Sequence, residues 1–261
     1  MAPKPYFPTI RDLPAHSFQR VLDSLLNLIF PDRCFICTLP VARRQDCGIC
    51  DSCWNKAIAL QIRPPRCSSC GLPFQSFYDD SEHLCADCIL QMPSFSGARS
   101  FGYYTAELSR LIQEFKFHGR RNLVDLLAPL LAGTFFDNWG REDFDLIEAV
   151  PLHQKRKRQR RYNQSDLLAR SLASRIAIPR QQVLVRIRST LPQVGLTDSQ
   201  RQKNVRNAFR CHNPERVRQK RILLVDDVMT TGATVASAAQ ALMNAGAMRV
   251  SVLTVARAGK F

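Results

Sequence analysis

Between Arg221 and Thr234 the chain gathers several groups that can do chemistry together. Four aliphatic residues, Ile222 to Val225, lead into Asp226 and Asp227. Thr230, Thr231, Gly232, Ala233 and Thr234 follow, and then an alanine-rich segment of helical character. The pattern reads as a buried strand, a tight loop and a helix opening on that loop. The N-terminus of such a helix offers backbone N–H groups and the positive end of its dipole, which suits a phosphate. The threonine hydroxyls add donors, and Gly232 lets the backbone turn and a ligand come close. Carboxylates repel phosphate; they suit the hydroxyls of a sugar, or a hydrated magnesium ion held through oxygen. The plain alternative is a β–α turn with two acids and no ligand.

Eight of the ten cysteines form a second constellation. Cys34 and Cys37 are followed by Cys50 and Cys53; Cys67 and Cys70 are followed by Cys85 and Cys88. Each Cys-x-x-Cys can set two thiolates on one turn, and two such turns complete a tetrahedral zinc site. Two zinc ribbons in tandem are the expectation, with one occupied site or redox-active pairs as alternatives. No thioredoxin-like βαβ pattern surrounds the pairs. A closed four-thiolate site leaves no open coordination position, so its role is structural, and in so short a segment the metal supplies much of the folding energy. Cys47 competes with Cys50 for the first site, and Cys211 reads as a free thiol. Phe35, Trp54, Phe74, Phe77 and Tyr78 lie among the cysteines, either as the small core of the ribbons or as stacking platforms for bases.

Lys155, Arg156, Lys157, Arg158, Arg160 and Arg161 crowd the stretch after Pro151. So dense a cluster repels itself unless an anion is near or the segment is well solvated. It reads as an anion-binding loop, a solvated loop or a patch that follows nucleic-acid phosphates. A polar stretch from Thr190 to Phe209, with Pro192 and Gly195, reads as a lid over the site or an ordinary surface loop.

The elements that must position these groups alternate. Strands are expected at Ala98 to Tyr104, Asp145 to Val150, Val183 to Ile187, Ile222 to Val225 and Arg249 to Val255. Helices are expected at Leu108 to Phe117, Asn122 to Phe136, Gln164 to Ile176 with Asn163 as cap, and Ala233 to Asn244 with Gly246 as stop. Such alternation implies an α/β fold with a mostly parallel sheet, helices on both faces and ligands beyond the carboxyl ends of the strands. The expected domains are an N-terminal extension (1–33), a double zinc ribbon (34–95) and the sheet domain (96–261). In the extension, Phe18 to Phe30 has the spacing of an amphipathic helix, suited to packing on the body or to a membrane surface or partner.

A hydrophobic content of 45% fits a packed core. No run approaches the roughly 18 apolar residues of a membrane span, and no signal peptide is apparent, so a cytoplasmic protein is expected. Thirty-seven basic against 22 acidic residues, a formal charge of +15, favour polyanionic partners without choosing among nucleotides, pyrophosphate and nucleic acid.

The acid-pair loop lacks the Gly-Lys-Ser/Thr of a Walker A loop and the Gly-x-Gly-x-x-Gly of a dinucleotide loop. It resembles the 5-phosphoribosyl-1-pyrophosphate (PRPP) loop of type I phosphoribosyltransferases. More widely, the chain from Cys34 onward resembles the ComF/GntX family. The cysteine pairs match its zinc ribbon and Lys116-Phe-His-Gly119 its Lys-Phe/Tyr-x-Gly. Pro151-Leu-His153 and Arg161-Tyr-Asn-Gln164 match its Pro-Leu-His and Arg-Gly-Phe-Asn-Gln, with Tyr162 directly after Arg161 where the pattern has Gly-Phe. Gln193-Val-Gly-Leu196, Arg201, Asn204-Val205 and Phe209 follow its Gln-x-Gly-Leu, Arg, Asn-Val and Phe. The resemblance implies a type I phosphoribosyltransferase fold behind a zinc ribbon. Asp226 and Asp227 would hold the ribose hydroxyls of Mg²⁺-PRPP, and Thr230, Thr231, Gly232, Ala233 and Thr234 its 5-phosphate. His153, Arg158, Arg161 and Asn163 would hold pyrophosphate, with Arg161 joining the two acids as catalytic residues. Gln193, Arg201 and Asn204 would belong to the lid. Members are linked to natural competence and to the use of external DNA or gluconate. Two functions follow as expectations: transfer of phosphoribosyl to an unknown nitrogen acceptor, or non-catalytic binding of single-stranded DNA or a DNA-uptake partner with PRPP as a sensed ligand.

Overall fold

A central sheet in the order β1-β7-β6-β2-β3 organises the computed structural model, which describes residues 32–41, 47–74, 82–188 and 204–259. Its strands are β1 (Gly97–Tyr103), β2 (Leu146–Ala149), β3 (Arg180–Gln181), β6 (Arg221–Met229) and β7 (Arg249–Arg257), and every pairing among them is parallel. The helices are α1 (Asp51–Ile58), α2 (Ala86–Leu90), α3 (Ala106–Phe117), α4 (Val124–Phe136), α5 (Gln154–Arg160), α6 (Gln164–Ile176) and α7 (Ala233–Asn244).

The aliphatic run of β6 is continuous because both of its faces are covered. Leu223 and Val225 join the core formed with Leu127, Leu131, Leu168 and Leu172 of α4 and α6, while Ile222 and Leu224 pack with Val235, Ala238, Ala239 and Leu242 of α7. The expected helices at Gln164 to Ile176 and Ala233 to Asn244 are present with those bounds.

β4 (Leu184–Arg186), expected as one strand among the others, pairs instead with β5 (Phe209–Cys211) as a separate antiparallel sheet, and β3 takes the place beside β2. A buried carboxylate fastens that hairpin: Glu148 of β2 accepts from the backbone N–H groups of Val183 (2.8 Å) and Leu184 (3.4 Å). Burial pushes the Glu148 carboxyl up to about 8, against the pull of those two donors.

The outer edge of β1 is not bare. The segment that leads from the first cysteine tetrad into the second runs along it, with Ile62 N–H donating to Phe101 O (2.8 Å), Tyr103 N–H to Leu60 O (2.9 Å) and Ala98 N–H to Ser69 O, in the second tetrad's first turn (2.7 Å). An edge strand covered in this way presents no template for another chain. The approach is close enough to require glycine twice. A Cβ at Gly102 would lie 2.7 Å from Leu60 O, and one at Gly71, whose φ is +67°, would press on the Ala98 carbonyl. Among the described residues no helix is long and apolar enough to cross a membrane. The expected helix at Phe18 to Phe30 lies outside the described residues.

Candidate functional site

Asp226 and Asp227 were expected just beyond a strand, but they lie within one. β6 runs on to Met229, held by β7 through Asp226↔Thr254, Val228↔Ala256 and Met229↔Arg257. On its other side β2 ends at Ala149, opposite Val225, and Pro151 then has no N–H to continue a ladder. The acids are therefore fixed by one neighbour and open toward the end of the other. Asp226 Oδ1 accepts from Ser165 Oγ (2.7 Å) and from the Asp227 N–H (2.9 Å). Lys116 Nζ lies 2.8 Å from Asp227 Oδ1. Burial, and next the neighbouring charge of Asp227, push the Asp226 carboxyl up to about 7.

Directly after this strand the chain turns through Thr230 and Thr231 to Gly232, whose φ of +81° sets it at the N-cap of α7. The Thr231 hydroxyl accepts from Ala233 N–H (3.4 Å). A side chain at Gly232 would meet Met229 Cε at 2.7 Å. The acid pair and a helix N-terminus lined by hydroxyls thus share one end of the sheet.

The basic stretch, expected as a loop, is the helix α5, capped by His153 Nδ1 accepting from Lys155 N–H (3.3 Å). Lysine, arginine and glutamine are good helix formers, and the exposed side chains of Lys155, Lys157 and Arg158 disperse their charge in water. His153, Lys155 and Arg158 form one wall of an open cleft of about 850 Å³; Val185, Arg186 and Ile187 of the hairpin form the other. The Arg186 guanidinium lies over the Phe209 ring, 5.2 Å from its centre. Burial and then Arg156 push it down to about 10, while Asp226 pulls the other way.

Arg161 does not line that cleft. It is exposed at the end of α5 with a φ of +64°. Aligning Arg-Gly-Phe-Asn-Gln through Asn163 and Gln164 sets its glycine opposite Arg161, its phenylalanine opposite Tyr162 and its arginine opposite Arg160. The departure from the pattern is thus an arginine in a left-handed turn rather than a missing residue. Asn163 does not cap α6 with its side chain; its Nδ2 donates to Val150 O (3.1 Å). Asn204 precedes Val205, whose carbonyl accepts from Ser237 Oγ of α7 (2.6 Å). Gln193 and Arg201 lie outside the described residues, as do Phe77 and Tyr78.

Lys116, Ser165 and Arg186 had no assigned role in the sequence. Lys116 belongs to the quoted Lys-Phe-His-Gly run and Ser165 follows the quoted Gln164, so a signal was present for both without a reason attached. Arg186 carried none.

The cysteines form two tetrads, Cys34, Cys37, Cys50, Cys53 and Cys67, Cys70, Cys85, Cys88. Sulfurs of Cys37 and Cys50 are 3.6 Å apart, and those of Cys70 and Cys85 are 3.7 Å apart. Zn–S bonds of about 2.3 Å in a tetrahedron need an edge of about 3.8 Å, so the donor sets fit zinc. At one cysteine of each tetrad, Cys34 and Cys67, backbone N–H groups already favour thiolate. Burial opposes ionisation of Cys34, but donors at Cys37, Cys50 and Ile36 outweigh it and bring the thiol down to about 6. Likewise donors at Cys85, Cys70 and Ser69 outweigh burial at Cys67 and bring it to about 7. Cys47 stays outside both tetrads, its Sγ 3.6 Å from Asn122 O. Trp54 is buried in the core, and Phe74 stacks on His83 with ring centres 4.2 Å apart.

The double zinc ribbon domain family matches residues 25–91, and the phosphoribosyl transferase domain family matches residues 164–260. The DNA utilization protein YhgH of Salmonella typhimurium is 35% identical over 234 residues, 88% of this chain and 99% of its own length. Competence protein F of Haemophilus influenzae is 33% identical over 236 residues, 88% of this chain and 98% of its own. Competence protein ComFC of Bacillus subtilis is 27% identical over 224 residues, 82% of this chain and 86% of its own. The solved purine phosphoribosyltransferase from Pyrococcus horikoshii superposes with a TM-score of 0.32 at 18% identity, over 51% of this chain and 72% of that one, a likeness too loose to argue from.

Proposed function

The chain belongs to the ComF/GntX family of DNA utilization and competence proteins, with a double zinc ribbon and a phosphoribosyltransferase domain, and on that premise we propose that it binds Mg²⁺-PRPP and transfers phosphoribosyl to a nitrogen acceptor. The observation that carries this is the adjacency of Asp226 and Asp227 to the Thr230–Thr234 turn and the start of α7. The carboxylates accept from the ribose 2- and 3-hydroxyls. The threonine hydroxyls and the first-turn N–H groups of α7 donate to the 5-phosphate. His153 and Arg158, on one wall of the cleft, receive the departing pyrophosphate, whose growing charge the Arg158 guanidinium stabilises. Magnesium, when bound with PRPP, neutralises pyrophosphate oxygens. The domains of the reading are the extension (1–33), the ribbon (34–95) and the transferase-like sheet (96–261), at work in the handling of incoming DNA.

Titration calorimetry of Mg²⁺-PRPP into the zinc-loaded protein tests the reading. Saturable binding is expected, and its loss in the double variant Asp226→Asn with Asp227→Asn. A well-folded wild type that takes up no PRPP would overturn it. The exposed cations of α5 favour a second reading, in which this helix follows the phosphates of single-stranded DNA. Charge reversal at Lys155, Lys157 and Arg158 should then weaken DNA binding and flatten its salt dependence, while Asp226→Asn leaves it unchanged.

A further inference from the structure

We infer that Lys116 is a positioning residue for the acid pair: its ammonium holds the Asp227 carboxylate in place and offsets the pair's charge, so that a sugar phosphate meets acceptors already set. This rests on the proposed sugar-phosphate site. Lys116 stands in the last turn of α3, and its Nζ lies 2.8 Å from Asp227 Oδ1, with only 16% and 10% of the two side chains exposed. A pair so shielded differs from a surface ion pair, in which solvent screens most of the attraction.

The rest of the turn is fastened so that the ammonium has little choice of place. The Lys116 carbonyl accepts from Gln164 Nε2 (3.1 Å) and the Phe115 carbonyl from the Tyr162 hydroxyl. Glu114 pairs with Arg120 (3.0 Å) where the chain leaves the helix. Gln164 is the first residue of α6 and Tyr162 lies just before it, and the same helix presents Ser165 to Asp226. One carboxylate is thus held by a hydroxyl and the other by an ammonium, both set by the junction of α3 and α6. The charged groups acting on Asp226 are Asp227 on its own strand, Lys116 from α3 and Arg186 from β4. Without Lys116, the Asp226 carboxyl moves higher still, because the ammonium is among the groups that hold it down.

The test measures affinity for two probes, Mg²⁺-PRPP and ribose 5-phosphate, from pH 5.5 to 8.5, in the zinc-loaded wild type, Lys116→Met and Lys116→Arg. Ribose 5-phosphate has no pyrophosphate, so it reports on the acids and the phosphate turn alone. Lys116→Met is expected to weaken both probes equally, roughly ten- to a hundred-fold for a lost charged contact, and to move the pH midpoint of binding upward. Lys116→Arg should restore much of both. A loss confined to PRPP would show that the lysine contacts pyrophosphate and overturn the inference. So would unchanged affinities and pH profile in a Lys116→Met protein that has merely lost thermal stability. If Lys116→Met does not fold, Lys116→Gln takes its place: equal weakening of both probes with a raised midpoint supports the role, and unchanged affinities and midpoint overturn it. A wild type that binds neither probe removes the site itself, an outcome distinct from those that sink the lysine alone.

Discussion

The second cysteine tetrad and the Asp226–Asp227 pair both crowd groups that are negative when ionised, and the molecule completes only one of them. Cys67, Cys70, Cys85 and Cys88 are all buried, and Arg257 reaches in from β7 to donate to the Cys70 carbonyl (3.0 Å) and toward its sulfur (3.6 Å). Burial pushes the Cys70 thiol up to about 11 despite that guanidinium. A divalent metal removes the conflict and leaves nothing open, so its binding energy goes into the fold. At the acid pair the compensation is partial: one ammonium, one hydroxyl and, near neutral pH, a proton on Asp226. The difference separates a region built for stability from one with acceptor capacity left over.

The largest break in that comparison should come from the closed side. Cys67→Ser with Cys85→Ser removes metal-linked folding energy that reaches about 10–16 kcal/mol in isolated zinc-finger peptides. The tetrad lies beside the β1 edge, so the sheet should unravel with it, seen as loss of a cooperative melt. Cys34→Ser with Cys50→Ser should cost less, since Cys37 and Cys50 are only half-buried and this tetrad rests on α1 and α3. Equal losses in the two double variants would end the distinction.

On the open side the expected effect is smaller and depends on pH. A carboxyl raised from 3.8 to about 7 by folding contributes stability that is complete below about 3.8 and is lost as pH rises through 7. Glu148, raised to about 8, adds a fall over the same range, so urea melts of the ligand-free protein at pH 5 and pH 8 should show a fall of up to a few kcal/mol that Asp226→Asn reduces and Asp226→Asn with Glu148→Gln largely abolishes. The same fall in the double variant would assign it to other groups.

Two arginines sharpen the contrast within the ribbons. Arg257→Gln should cost about 1–3 kcal/mol through the donors withdrawn from Cys70, and should speed zinc transfer from the second tetrad to a chromogenic chelator. Arg110 donates from α3 to the Ile36 carbonyl, between the first two cysteines (2.9 Å). Arg110→Ala should cost about 1 kcal/mol and quicken release from the first tetrad alone.

Periodicity and punctuation made much of this legible. α6 and α7 appear with their expected bounds because apolar spacing, and Gly232 and Gly246 around α7, are local signals. The cysteine spacing likewise carries its own geometry, and the tetrads group as the pairs suggest. The hydrophobic run of β6 stops at Val225, whereas the strand's hydrogen bonds continue to Met229 through β7, whose partners no local pattern reveals. α5 is hidden from local pattern because its crowded charges argue for a solvated loop while its residue types favour a helix. Lys116 reaches Asp227 across more than a hundred residues of chain, so its role exists only once α3 and α6 have packed.

The sheet order has a consequence for the growing chain. β1 is the first strand made, yet its neighbour within the sheet is β7, the last. During translation its inner edge has no partner until residues 249–257 leave the ribosome. Its outer edge is served at once, because Leu60, Ile62 and Ser69 are synthesised before it. A chain loaded with zinc early holds its first strand on a metal-built template, whereas a metal-starved one carries β1 exposed on both sides through most of synthesis.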